Sequence, residues 1–335
     1  MSDVFIDPSF AEYYSKFPLT LIDVGASGGI AGEWACAKKY IQVIAFEPDE
    51  RAYQDLIKDQ KDHNIKYVNK AILNESKTVD FYLMKKQETS SIFLPNTDFL
   101  RQFPELSRFD VIKTVKMEVD SLDNIMRDKG IKDADFIKLD TQGGELSILE
   151  GAKKALEGPV FGLDVEVYFS EVYIGAPFFG DIDSFLKKYG FSLFDVNPYW
   201  WKRESGKNYG RPKGQIITGD ALYLRDIGTF IRIVKKEQDH AARKSKILKA
   251  VSICLIYGYF DYACELMETA LSENIIDVND LNLFKNNAEN STSIFMNVRD
   301  FKGKGRTSRI LYDLYRIFEK NYNGWATSVF KRGNL

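Results

Sequence analysis

Between residues 19 and 224, short apolar runs alternate with stretches whose apolar positions recur at helical spacing. Leu19-Thr-Leu-Ile-Asp-Val24 is apolar enough for a buried strand, and a Gly-rich turn separates it from a helical stretch at 31–40. Ile41-Gln-Val-Ile-Ala-Phe46 repeats the strand pattern. Asp49 then stands where its side chain can accept from the unpaired amides opening a helix that runs to about residue 61. Extended segments follow at 65–68, 71–73, 79–84 and 111–119, the last two flanking a loop-rich insert at 87–110. A helix at 120–129, a strand at 135–139, a helix at 145–156, a strand at 160–167 and a helix at 181–189 continue the alternation. Strands at 191–196 and 216–224 complete it. Strands separated by helices need crossover connections, so the pattern predicts an α/β fold: a doubly wound, mainly parallel, seven-stranded sheet. The final strand follows its predecessor through a loop without a helix and is expected to run antiparallel to it.

Beyond residue 226 the pattern is helical, with no strand signal, and rich in Lys, Asn and aromatic residues. A boundary here divides a 1–228 α/β domain from a 229–335 helical C-terminal extension. Gly258-Tyr-Phe-Asp-Tyr-Ala263 with Ala270 has the look of half a tetratricopeptide hairpin. No repeat of roughly 34 residues follows, so one packed helical hairpin is expected. These helices also offer a surface for homo-oligomer formation.

Composition narrows the classes. Lys plus Arg (46) nearly cancel Asp plus Glu (48), which excludes the strongly basic surface of a generic nucleic-acid binder. Cys36, Cys254 and Cys264 are odd in number and lack CxxC spacing, as expected of reduced thiols in a cytoplasmic protein. His63 and His240 are too few for a multi-histidine metal site, and both read as surface residues. The chain starts without the layout of a signal peptide, and its longest apolar stretch, 250–260, is about half the ~20 residues needed to span a bilayer. A soluble protein without a transmembrane segment is expected.

Three motifs carry candidate chemistry. Asp23-Val-Gly25-Ala26-Ser27-Gly28-Gly29 follows the first strand directly. Glycines there permit positive φ and close approach of a ligand to the backbone. The second strand ends Phe46-Glu47-Pro48, and Glu47 lies 22 residues after Gly25. At that offset a carboxylate sits at the carboxyl end of the neighbouring strand and can accept from both hydroxyls of a ribose. A nicotinamide dinucleotide would use the same geometry. Against it stand the absence of GxGxxG spacing and Asp23, which would repel a pyrophosphate but suits the ammonium of S-adenosyl-L-methionine. The third motif runs from Phe136 to Ala152 and sets Lys138 and Asp140 at a strand end, with Asp140 facing the same crevice as Gly25 and Glu47 as a further cofactor contact, and Glu145 in the first turn of a helix.

The sequence resembles the FkbM-type S-adenosylmethionine-dependent methyltransferases, a branch of the class I methyltransferase fold. The resemblance rests on Asp23-Val-Gly-Ala, Phe46-Glu-Pro-Asp49, Val119-Asp-Ser-Leu-Asp123, and Ile137-Lys-Leu-Asp-Thr-Gln-Gly-Gly-Glu145 with Leu149-Glu-Gly-Ala152. It covers residues 19–196; Ser27 and Gly144 depart from the family's usual Asn and Ala. It implies that Asp23, Gly25, Ala26, Ser27 and Gly28 line the methionine end of the cofactor, that Glu47 and Pro48 hold the ribose, and that Ala71, within 69–72, borders the adenine. It further implies methylation of hydroxyl oxygens on sugars or glycan precursors, as in polysaccharide biosynthesis. Alternatives are N-methylation of a sugar amine or peptide, and an inactive methyltransferase-like scaffold.

A hydroxyl is a poor nucleophile until its proton is removed or shared. Carboxylates are the candidate bases: Asp140 first, then Glu145, and Glu166, which shares a strand face with Asp164. Mg²⁺ bound by these oxygens is the less favoured alternative, so no metal ligand is assigned. Glu145 also fits a charge placed at a helix N-terminus. Substrate contacts are expected from the 87–110 insert, with Thr89, Ser90 and Ser91 near the methyl, and from Tyr199-Trp200-Trp201-Lys202-Arg203 through Lys207, Arg211 and Lys213. Aromatic faces stack on sugar rings, and cations receive phosphate or carboxylate.

Overall fold

The computed structural model describes residues 13–58, 60, 62–207, 214–291, 305–307, 309–311 and 325–328. Along the chain the strands are β1 (Leu19–Val24), β2 (Ile41–Phe46), β3 (Ile65–Val68), β4 (Ala71–Leu73), β5 (Lys77–Met84), β6 (Val111–Ser121), β7 (Phe136–Leu139), β8 (Gly162–Tyr168), β9 (Phe191–Trp201), β10 (Gln215–Arg225) and β11 (Ala326–Ser328). The α-helices are α1 (Glu50–Lys58), α2 (Thr97–Leu100), α3 (Leu122–Asp128), α4 (Glu145–Glu150), α5 (Lys153–Glu157), α6 (Phe179–Lys187), α7 (Ile227–Val234), α8 (His240–Ile256), α9 (Phe260–Ser272) and α10 (Val278–Ser291).

Strand order in the main sheet is β3-β2-β1-β7-β8-β10-β9-β11. The five strands from β3 to β8 are parallel neighbours, whereas β10 runs antiparallel to both β8 and β9. The expected doubly wound α/β architecture is therefore present, with one correction: the sheet has eight strands, not seven. The eighth comes from Ala-Thr-Ser, which has no apolar alternation and pairs as a strand because β9 leaves an open edge. A separate three-stranded sheet, β4-β6-β5, stands beside the main one.

Local details differ from the sequence pattern where packing intervenes. The 31–40 stretch makes only a 3-10 helix, Gly32–Ala37. The 145–156 helix breaks into α4 and α5 at Gly151 and Ala152, and Gly151 lies against β4, where a Cβ would fall 2.2 Å from the Leu73 carbonyl oxygen. Asp49 caps α1 as expected, its Oδ1 accepting from the Arg51 amide at 3.0 Å. Strand β9 extends to residue 201 and takes Trp200 and Trp201 into the sheet.

Residues alternate between the two faces of the parallel strands. Ile22, Val24, Ile137, Leu139 and Leu163 meet Leu122, Ile125, Ile148, Leu149, Ile182 and Leu186 of helices α3, α4 and α6. On the opposite face Leu19, Leu21, Val43, Phe136 and Phe161 share a core with Trp34, Phe230, Ile247, Leu248, Val251 and Leu266. The short 3-10 turn after β1 cannot cover that face, and helices beyond residue 229 do so. Helix α8 is buried without interruption from Ile247 to Ile256, as a helix enclosed by sheet on one side and α9 on the other must be. Helices α8 and α9 form the expected packed hairpin.

Polar contacts fasten this layer. Lys249 Nζ of α8 reaches Asp135 Oδ2 at 3.0 Å, and that oxygen also accepts from the Thr20 amide at 2.7 Å. Lys246 pairs with Asp133 at 2.9 Å, and the Tyr14 hydroxyl meets Ser252 Oγ. At the amino end of β8, the buried Arg225 guanidinium donates to the carbonyls of Leu156, Val160 and Tyr189 and stacks 4.1 Å above Phe191. Burial lowers its pKa to about 9, and the carbonyls closing α5 and following α6 offset the loss of water. No helix among the described residues is long and apolar enough to cross a membrane.

Lys249→Met would leave the Asp135 carboxylate buried without its cation. The expected loss is ~3 kcal/mol of folding stability, read from urea denaturation at pH 7; an unchanged midpoint would show that the pair does not fasten the helical layer.

Candidate active site

The carboxyl ends of β1, β2 and β7 converge on one open cleft. Gly25 (φ +86°) turns the chain out of β1 while its amide donates to the Phe46 carbonyl at 2.9 Å. A Cβ there would stand 1.8 Å from the Asp140 carbonyl oxygen, so the β1 loop and the β7 turn approach at a distance only glycine permits.

Of the residues expected to bind cofactor, Gly25, Ser27, Glu47, Pro48, Ala71 and Asp140 line the cleft. Asp23 is buried beneath it, Ala26 faces the core, and Gly28 is exposed on the turn. The lining also includes Lys70, Ile72, Leu73, Phe81, Gln87, Glu88, Ile92, Thr141, Gln142 and Gly144. Leu73, Phe81 and Ile92 are apolar residues of β4, β5 and the insert; no motif marks them, because folding of the second sheet brings them here.

A charged network underlies the cleft. Lys138 Nζ lies 3.6 Å from Asp23 Oδ1 and 3.5 Å from Asp140 Oδ2. Burial would lower the Lys138 pKa, but Asp23, Asp140, Asp164 and Asp220 outweigh it and hold the ammonium charged. Asp23 Oδ1 is buried without a hydrogen bond, and burial raises its pKa. Glu47 Oε1 accepts from the Asp49 amide at 2.8 Å; burial, with Asp49, Asp140 and Asp23 nearby, pushes this carboxyl up to about 7.

The three candidate bases occupy different surroundings. Asp140 lines the cleft with its side chain 40% exposed, enough for a ligand to reach it. Glu145 is fully buried and closes the turn: Thr141 N and Oγ1 donate to its Oε1 at 2.7 and 2.9 Å, and Gly143 N to its Oε2 at 3.0 Å. Glu166 lies behind Asp140, its Oε2 accepting from Gln142 Nε2 at 2.8 Å and Tyr168 OH at 2.6 Å. Burial raises the pKa of Glu166 well above the usual carboxylate range, and Asp140 and Glu145 raise it further.

Of the expected substrate residues, Ser90 lines the cleft, its Oγ accepting from the Met84 amide at 3.1 Å. Ser91 is buried and donates to the Gln142 carbonyl at 2.6 Å. Thr89 is buried too, with Oγ1 donating to the Lys86 carbonyl. Trp200 sits half-buried on β9, between β10 and β11. Trp201 is packed against Phe103 and Trp325, with ring centroids 5.5 and 5.2 Å away. Neither tryptophan lines the cleft. Arg203 lies over Phe103, Lys207 pairs with Glu204, and Arg211 and Lys213 lie outside the described residues. His63 and His240 are exposed. Among the described residues no group of three His, Cys, Asp or Glu side chains is arranged to hold a metal ion.

A mostly parallel sheet binds ligands outside the carboxyl ends of its strands where the strand order reverses, and the carboxylate-lined cleft lies at that point, between β1 and β7. The family model for the methyltransferase FkbM domain matches residues 23–193, just over half of the 335 residues, and the chain belongs to that family. Among solved structures it is similar to the methyltransferase FkbM from Methylobacillus flagellatus KT, at 16% identity and a TM-score of 0.35 over 65% of this chain and 50% of that one. The chain thus spans about half the length of that protein. It is also similar to precorrin-6y C5,15-methyltransferase from Geobacter metallireducens GS-15, at 13% identity and a TM-score of 0.32 over 64% of this chain and 86% of that one. A third similar structure is magnesium protoporphyrin IX methyltransferase from Synechocystis PCC 6803 with bound SAM, at 10% identity and a TM-score of 0.30 over 65% of this chain and 77% of that one. No curated protein matches the chain.

The Glu47 pKa, raised from 4.5 to about 7, sets a pH dependence of stability. A carboxyl harder to ionise when folded favours the folded state at low pH, and stability falls as pH rises from about 4.5 through about 7. Glu47→Gln removes this penalty. Urea titrations should find the variant more stable than the parent at pH 8, by up to ~3 kcal/mol, with the difference shrinking towards pH 4.5.

Proposed function

We propose that this protein transfers the methyl group of S-adenosyl-L-methionine to a hydroxyl of a sugar or glycan precursor in polysaccharide biosynthesis. The observation that carries the reading is the convergence of Glu47 and Asp140 on one cleft at the ends of β2 and β7, with Asp23 of β1, the strand between them, buried beneath it. The buried Asp23 Oδ1 without a hydrogen bond fits the ammonium end of the cofactor, and Glu47 fits its ribose hydroxyls. Ile72, Leu73, Phe81 and Ile92 offer an apolar wall for the adenine. Bound there, S-adenosyl-L-methionine supplies a methyl already activated on a sulfonium.

Much of the remaining work is orientation. Asp140, reachable from the cleft, takes the proton of the acceptor hydroxyl. Glu166 stands behind it, where desolvation and the neighbouring carboxylates disfavour ionisation. Glu145 holds the turn rather than the proton, since its oxygens are taken by the Thr141 and Gly143 amides. The cleft lining carries Glu47, Glu88 and Asp140 against Lys70, which favours a neutral acceptor group over a phosphorylated one.

Calorimetry with S-adenosylhomocysteine tests the cofactor site. Binding should weaken at least ~10-fold in Glu47→Ala, from the loss of charge-assisted hydrogen bonds, and undiminished binding would remove this reading. Affinity should also fall as pH drops below about 7, because only ionised Glu47 accepts from both hydroxyls. A screen of sugar precursors with labelled cofactor identifies the acceptor. On that acceptor Asp140→Asn should keep cofactor affinity and lose ~10²-fold or more in kcat; turnover at the parent rate would exclude Asp140 as the base.

A further inference from the structure

Gln142 lies within the motif that runs from Phe136 to Ala152, which gives it no role of its own, and it occupies the centre of the turn between β7 and α4. Its backbone is left-handed, with φ +58°, a conformation that strains a residue with a side chain and that glycine adopts freely. Gly143 stands next to it, so a turn with glycine at both positions would be the less strained solution. What the side chain does explains why the strain is tolerated. Gln142 Nε2 donates to Asp140 Oδ1 at 3.1 Å and to Glu166 Oε2 at 2.8 Å. Its Oε1 lies 2.8 Å from Tyr173 OH, which also stands 2.9 Å from the Thr89 carbonyl. Its own carbonyl accepts from Ser91 Oγ at 2.6 Å. The side chain therefore ties the cleft carboxylate to the carboxyl behind it, and through Tyr173 and its own carbonyl Gln142 is tied to the 87–110 insert.

We propose that Gln142 is a positioning residue: its amide bridges Asp140 and Glu166 and fixes the direction in which Asp140 meets the acceptor hydroxyl. This rests on the methyl-transfer reading above for its catalytic consequence, though not for the bridge itself. Two carboxyl groups set this close repel when both are charged, and rotation of Asp140 about its side-chain bonds would relieve them. A neutral donor with two N–H groups satisfies both without adding charge. Lysine would add a second ammonium beside Lys138, and glutamate would add a third carboxyl. Lys138 holds the other oxygen of Asp140 at 3.5 Å, so the carboxylate is gripped from both sides and retains lone pairs towards the cleft. A residue merely filling the turn would need none of these contacts.

The test uses Gln142→Gly, which removes the amide and relieves the backbone strain, so loss of function cannot be ascribed to a turn that no longer forms. In the full-length protein, carbon-13 carboxyl resonances of labelled glutamate, assigned with Glu166→Gln, report the titration of Glu166. Around Glu166 stand Asp140 and Glu145 from the turn and α4, Asp220 from β10, and Tyr168 on its own strand; Gln142 adds a donor that favours the charged form. Its loss should move the Glu166 titration upward by about one pH unit, with the melting temperature held or raised. On the acceptor found by the screen, kcat should fall at least ~10-fold while KM for S-adenosylmethionine stays within about twofold. A Glu166 titration that does not move, a glycine variant that fails to fold, or an unchanged kcat would each overturn the proposal. Failure of the methyl-transfer reading has a different signature: a parent protein that binds no S-adenosylhomocysteine, whatever the Glu166 titration does.

Discussion

The Lys138 ammonium stands between Asp23 and Asp140, at 3.6 and 3.5 Å, with Asp164 and Asp220 also in its field. In the register of the sheet Lys138 pairs with Asp23 of β1 on one side and Asp164 of β8 on the other. Carboxylates drawn together at strand ends repel one another, and burial deprives them of water. A cation at the middle strand lets them share one end of the sheet. Remove that charge and the same residues either take up protons or move apart, and the cleft loses the geometry that Glu47 and Asp140 depend on.

The position of the cleft also depends on what covers the faces of the sheet. Helices α3 to α6 cover one face with residues from between the strands. The other face receives little from the segment between β1 and β2, and α7 to α9 complete it. Helix α8 is thus part of the same hydrophobic core as β1 and β7, held by Lys249 on Asp135 at the amino end of β7. The cleft lies at the other end of that strand. The rigidity of β7, which carries both Lys138 and the start of the Asp140 turn, is supplied from both faces at once.

Glu145 and Gln142 illustrate two ways a short turn is stabilised. Glu145 reaches back from the first turn of α4 to accept the Thr141 and Gly143 amides, which fixes the backbone. Gln142 reaches sideways and fixes side chains. Fixed backbone and fixed side chains are both needed if a carboxylate is to meet a reacting hydroxyl at hydrogen-bond distance.

Much of this was legible in the order of residues alone, because the relevant physics is local. Strand and helix periodicity, the cap at Asp49 and the spacing from Gly25 to Glu47 predicted the α/β alternation, and the FkbM-type motifs carried the family that its family model matches. Other features were decided only by tertiary structure. Ala326–Ser328 became a strand because β9 had a free edge, and Trp201 entered a core with Phe103 and Trp325 because β9 ran longer than its apolar pattern. Leu73, Phe81 and Ile92 joined the cleft because a second sheet folds over it. Asp140 ranked first among the candidate bases in sequence, but nothing there separated its surroundings from those of Glu145 and Glu166, since a carboxylate carries no mark of them. Burial and hydrogen-bond partners, which arise from residues distant in the chain, gave the three carboxyl groups their separate environments.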